Sequence, residues 1–260
     1  MRFGSARSSS RKVGWIGVAL VAMAGVAASL TTSACAPTPK MGDAPTKDEL
    51  AKAALPGPGE SRRVGGDLRT SVTRKGETFR WGPCVIDTAL PVGYPEPTPP
   101  GAIDLKTYPS VRRAVVSGKG TPNGGMNKAF WPLFNHIKEK NIAMTSPVEM
   151  DYATASAPEV SKSDWSMAFL YRTPELNGTG TDGKVEVVDA PPVTVVAVGV
   201  KGDYGTGLVA KGAELIEAWL VENPQWEAAG NWRSLYYNGP ALDFWNKWGE
   251  VQMPVRLKNP

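Results

Sequence analysis

The chain has 260 residues, 42% of them apolar and 21% charged, with a formal net charge of +4. That length favours one domain with a full apolar core, and the composition is that of an ordinary globular protein. Arg2, Arg7, Arg11 and Lys12 account for the excess positive charge, so the rest of the chain is close to neutral and offers no basic stripe for a nucleic-acid partner.

Residues 1–36 read as an export signal: a basic start, an apolar run over 13–30, then small polar residues. Thr32-Ser33-Ala34-Cys35 resembles a bacterial lipoprotein box, with Thr32 where leucine is usual. Cleavage before Cys35 would leave that cysteine to carry a lipid. Two other readings stay open: cleavage after Ala36, and an uncleaved anchor. All three export the folded part to the cell envelope, and the first ties it to a bacterial membrane. Residues 37–100 read as a tether and extended linker. Residues 37–60 are rich in Pro, Ala, Gly and charge, and residues 91–100 are rich in proline. Between them, residues 79–86 hold apolar content for one strand, expected to pack on the domain edge.

The domain proper is expected over residues 101–260. Residues 103–106 and 111–116 read as strands on either side of a Tyr108-Pro109 turn, and a Gly-rich loop fills 118–125. An amphipathic helix follows over 127–138. Asn127 is its cap, Pro132 lies in its first turns, and Phe130, Leu133, Phe134 and Ile137 share one face. Ile142, Met144 and Val148 then keep the alternation of a half-buried strand. Residues 165–172 form a strand, 177–183 a turn cluster, 185–188 a short strand, and the β-branched run 193–200 the strongest strand of the chain. The order then repeats: a Gly-rich loop at 202–207, a helix and two strands, 232–237 and 250–257. The second helix carries Leu208, Leu215, Ile216 and Trp219 on one face, with Lys211, Glu214 and Glu217 opposite. The result is an α+β fold: pseudo-duplicated βαββ units forming a curved, mostly antiparallel sheet or distorted barrel with two packed helices. A cleft between helix and sheet is a natural place for an apolar ligand.

The aromatic helix followed by Asn141-Ile142-Ala143-Met144-Thr145-Ser146-Pro147-Val148 resembles the SOUL, or haem-binding-protein, family. Residues 165–170 before Pro174, then Tyr237-Asn238-Gly239-Pro240 and residues 250–255, resemble later family segments in the same order. Together they cover roughly residues 101–257. The resemblance implies the same architecture and non-covalent binding of haem or a related tetrapyrrole, for buffering or delivery and not turnover. It also implies that the first helix lines the ligand cleft. Lys128 and His136 then fall at basic positions facing the propionates, Trp131 at an apolar contact between them, and Phe134 on the aromatic face. The chain departs from the family at Lys247-Trp248-Gly249-Glu250, where an Arg pair and Asn are lost, and at Leu242 and Asp243, where a basic residue is usual.

His136 is the only imidazole and the candidate haem-iron ligand; its bland alternative is a half-exposed residue at the edge of the helix's apolar face. No Cys-x-x-Cys-His is present for covalent haem attachment, and with Cys35 lipidated or removed Cys84 is alone. Gly205-Thr206-Gly207-Leu208-Val209-Ala210 has the form of a dinucleotide loop, but no acidic residue follows at the end of a second parallel strand. Glu149 and Asp151, two apart, share a strand face. They are either a solvated face or the carboxylates of a cleft hydrolase. Another small hydrophobic ligand in the same cleft is the remaining alternative to haem.

Overall fold

The computed structural model describes residues 55–258. The expected signal segment with Cys35 and the first part of the tether lie outside the described residues. The strands are β1 (Ser61–Gly66), β2 (Thr73–Lys75), β3 (Thr78–Trp81), β4 (Cys84–Ile86), β5 (Ala102–Tyr108) and β6 (Val111–Gly118), followed by helix α1 (Pro122–Glu139). Next come β7 (Val148–Tyr152), β8 (Trp165–Leu170), β9 (Gly180–Asp182), β10 (Val185–Ala190), β11 (Val193–Lys201) and helix α2 (Thr206–Glu222). The chain closes with β12 (Trp226–Ala228), β13 (Arg233–Tyr236) and β14 (Trp248–Leu257).

The duplication is present as β6–α1–β7–β8 and β11–α2–β13–β14. Each unit forms the same three-strand order, β6-β8-β7 and β11-β14-β13, and the units join where β7 pairs β13. The strand before each unit lies on the other unit: β5 pairs β11, and β10 pairs β6. One register runs through both pairings. Tyr108 faces Val193 before the bend and Val111 faces Ala190 after it, so β5–β6 and β10–β11 form a single bent ribbon. The 11-stranded antiparallel sheet runs from β1 to β9 without closing, so the curved sheet, and not the barrel, is the architecture.

Alternation along each strand sends one set of side chains toward the helices. Val196, Val198, Val251, Met253, Met150, Met167 and Phe169 pack there with Ala129, Leu133 and Ile137 of α1 and Val209, Ala213 and Ile216 of α2. Glycines set the helix–sheet distance. A Cβ on Gly125 would stand 1.8 Å from the Trp165 ring, and one on Gly212 would stand 2.5 Å from Val251. Gly124 and Gly125 therefore belong to α1, which begins at Pro122 and not at the expected Asn127 cap. In α2 the buried stripe is Val209, Gly212, Ala213, Ile216 and Trp219, while the expected core residue Leu215 is 50% exposed. Strand β7 begins only at Val148; the segment before it is held by single bonds such as Ser146 N to Ala89 O.

Residues 61–100 depart most from the sequence reading. In place of one strand at the domain edge, β1 extends the main sheet beside β5, and β2–β4 form a second sheet over the face opposite the helices. Phe79, Cys84, Ile86 and Leu90 pack there on Tyr108, Val195, Ala197, Leu235, Tyr237 and Trp248. The proline-rich stretch is bound as well. Thr98 N donates to Glu250 (2.7 Å), Trp248 Nε1 donates to Thr98 O (2.7 Å), and Lys106 Nζ donates to Glu96 O (2.7 Å). Lys106 and Glu250 are fully buried and paired at 2.7 Å, and Glu250 also accepts from Tyr108, Tyr237 and Gln252. An isolated charge could not be buried there, but a pair with every lone pair satisfied can.

Candidate functional site

The helix-side face carries an aromatic shelf. Burial of Ala129, Leu133 and Ile137 turns Phe130 and Phe134 onto one flank of α1, half-buried, and leaves Trp131 62% exposed. The Phe130 ring stacks on Phe134 (centroids 5.8 Å apart) and meets Trp131 (5.5 Å) and Phe169 (5.4 Å) edge-on. Across the sheet Phe169 is beside Val148, and Val148 is beside Tyr236. Tyr204, from the loop between β11 and α2, stacks on Tyr236 at 4.1 Å. Phe130, Phe134, Met144, Val148, Tyr204 and Leu208 are thus half-buried apolar groups lying along the edge of the helix-side core. Lys128 is exposed on α1. A second cation, Lys247, sits 5.6 Å above the Tyr204 ring and 3.2 Å from Asp203. Sequence reasoning passed over Lys247 and Tyr204 because only the fold brings residues 204 and 247 together.

His136 does not join this group. It is 4% exposed, where a half-exposed edge position was the bland expectation. Its Nδ1 lies 2.9 Å from Asp182 Oδ2 and its Nε2 lies 2.8 Å from Tyr171 Oη. Two residues beyond Phe134 on a helix, it lies roughly 160° around the axis, against the β9–β10 hairpin. An axial iron ligand needs a free nitrogen lone pair facing the ligand; here both nitrogens are engaged away from the shelf. The hydrogen bond from His136, followed by the charge of Lys140, holds the Asp182 carboxyl below the usual aspartate range. Burial pushes the Tyr171 phenol up. Trp131 and Phe134 are therefore brought together, with ring centroids 6.1 Å apart, Lys128 stays exposed on the same helix, and His136 is set apart.

Glu149 and Asp151 lie on the opposite face of the sheet, and Glu149 is not solvated: it is 2% exposed. Arg113 Nη1 donates to Glu149 and, at 2.7 Å, to Asp151, while Arg233 Nη2 donates to Glu149 Oε2 at 2.7 Å. Burial alone would lower the Arg113 guanidinium, but the two carboxylates outweigh it and raise its pKa. A cleft of about 660 Å³ opens beside this cluster, lined by Arg113, Asp151 and Arg233 among others.

Two βαββ units sharing one antiparallel sheet beneath two helices, with an aromatic shelf beside the first helix, define a duplicated α+β domain. The chain belongs to the SOUL heme-binding protein family, whose profile matches residues 94–254. Similar solved structures include EcmrR in a DNA complex, at 17% identity and TM-score 0.49, covering 60% of this chain and 57% of EcmrR. The EcmrR C-terminal domain is similar at 18% identity and TM-score 0.45, covering 60% of this chain and 98% of the domain. A protein from Listeria innocua described as a hydrolase is similar at 15% identity and TM-score 0.46, covering 62% of this chain and 94% of that one. No curated protein sequence matches the chain.

Proposed function

We propose that this protein binds haem or a related tetrapyrrole non-covalently on the aromatic shelf of α1, for buffering or delivery, as an exported domain held at the cell envelope by a lipid on Cys35. One observation carries the reading: Trp131, exposed to solvent, and the half-buried Phe130 and Phe134 form one contiguous aromatic surface. Exposed apolar surface of this kind marks a binding site, and flat rings suit a flat macrocycle. Trp131 and Phe134 would hold the ring, and Lys128 and Lys247 would face its carboxylates. His136 would position α1 and would not ligate iron. The role is binding, because Glu149 is pinned between two guanidinium groups and is no free base. The engagement of both His136 nitrogens away from the shelf also favours a second reading, in which another flat apolar ligand uses the same surface.

The test is a haem titration of the full chain followed by absorbance. A saturable one-to-one Soret shift is expected, and it should survive His136→Ala. The Trp131→Ala/Phe134→Ala variant should weaken it at least tenfold, about 1.4 kcal/mol. No saturable shift at micromolar protein would sink the haem reading. Anchoring is tested by Cys35→Ala, which should abolish incorporation of labelled fatty acid and release the protein from the membrane fraction.

A further inference from the structure

The sheet face turned away from α1 holds a second cleft, distinct from the aromatic shelf. Its floor is a row of polar side chains, one from each of four adjacent strands. Arg233 of β13 stands opposite Asp151 of β7, Asp151 opposite Ser166 of β8, and Ser166 opposite Ser117 of β6. Elsewhere this face is covered, by the β2–β4 sheet, by Tyr94, and by the stretch around Thr98 that encloses Lys106 and Glu250. Here it is open, and Ala190, Pro191, Val193 and Pro254 form apolar walls. The volume, about 660 Å³, is that of a small-molecule site.

The floor keeps hydrogen-bonding capacity in reserve. Asp151 accepts through Oδ2 and leaves Oδ1 without a protein partner. Arg113 donates only through Nη1 and Arg233 only through Nη2, which leaves Nη2 of the first and Nη1 of the second without a protein partner among the described residues. The two guanidinium groups balance Glu149 and Asp151, so the cluster is electrically neutral. A ligand of one sign would meet a like charge, and a wholly apolar one would leave these groups desolvated and unpaired. A ligand bearing both charges on an apolar body meets neither penalty.

We infer that this cleft binds a small zwitterion of the amino-acid or short-peptide class. Its ammonium group would lie on Asp151, its carboxylate on Arg113 and Arg233, and its apolar side chain among Pro191, Val193 and Pro254. The inference is independent of the tetrapyrrole reading, because the cleft and the shelf lie on opposite faces of one sheet.

The experiment titrates the full chain with leucine, dileucine and trileucine, and with N-acetyl-dileucine amide, which has no terminal charge. Tryptophan fluorescence reports on Trp165 and Trp232, which line the cleft, and the melting temperature reports on binding as a whole. A saturable response to at least one zwitterion is expected, at least tenfold weaker for the blocked peptide and in Asp151→Asn. Ser117→Phe, at an exposed position on the cleft floor, should abolish the response and leave haem binding unchanged. It decides the matter even if Asp151→Asn proves unstable. No saturable response at millimolar peptide, an equal response to the blocked peptide, or a response kept in Ser117→Phe would overturn the assignment.

Discussion

At the scale of the residue, His136 shows how a lone imidazole can be busy without being a ligand. It ties α1 to the β9–β10 hairpin through Asp182 and to the end of β8 through Tyr171. Asp182 has a lower pKa folded than its usual ~3.9, because His136 and then Lys140 favour its ionised form. Its contribution to stability is therefore present above about pH 4 and is lost as the pH falls through the depressed folded value. His136→Ala should return the Asp182 titration toward the ordinary value, read by NMR of the side-chain carboxyl carbon. An unchanged titration would mean that the clasp does not form. Trp131 is the opposite case. It makes few core contacts, so Trp131→Ala should change stability by no more than about 0.5 kcal/mol, while ligand affinity on the shelf falls.

The fit between α1 and the sheet belongs to the scale of the element. Gly118 and Gly125 are not loop residues but the seat of the Trp165 ring, whose Nε1 donates to Gly120 O at 2.9 Å. Gly125→Ala should destabilise by about 3 kcal/mol, since an overpacked core must shift backbone to recover; a thermal melt equal to wild type would refute this packing account. Gly124 and Gly125 show where sequence reading stops. Two adjacent glycines before an aromatic run have the local signature of a turn, and only the fold sets the second of them inside the helix against the tryptophan forty residues away. The duplicated strand–helix–strand–strand order was legible because it rests on local periodicity: six of the nine residues of β11 are β-branched, and the Phe130, Leu133, Phe134, Ile137 spacing gave α1. Trp131 was singled out by the family resemblance, and only Phe134 by its place in that spacing. The partners of His136, the Arg113–Glu149–Arg233 cluster and the approach of Lys247 to Tyr204 were not. Each depends on strand register and on residues far apart in the chain.

For the whole molecule, the segment over residues 61–100 matters more than its composition suggested. Its prolines hid the fact that backbone groups around Thr98 satisfy a buried glutamate, which no local pattern encodes. The face it covers is rich in buried tyrosines. Burial, then the charge of Glu250, raises the pKa of Tyr108 and of Tyr237 on this face, and burial is also the main cause for Tyr152 on the helix side of the sheet. These phenols ionise more readily in the unfolded chain, so their contribution to stability is complete below about pH 10 and is lost as the pH rises past it. Absorbance near 295 nm, which follows phenolate, should therefore rise in a single step with unfolding at high pH. Gradual ionisation of these tyrosines in a chain that keeps its near-UV circular dichroism would contradict their burial.

The bent ribbon has one more consequence for the molecule. Because β10 completes the sheet of the first unit and β5 that of the second, neither half owns the strand at its own outer edge. A chain divided in the exposed stretch between β8 and β9 would yield two fragments, each lacking a neighbour that only the other supplies. Expressed together they should reassemble into one domain with the melting behaviour of a bimolecular complex, and expressed apart each should stay unfolded or seek a second copy of the other's strand. The repeat is thus a reciprocal graft and not a tandem of self-sufficient halves, and any ancestor with a single unit would have met its own copy as a symmetric dimer.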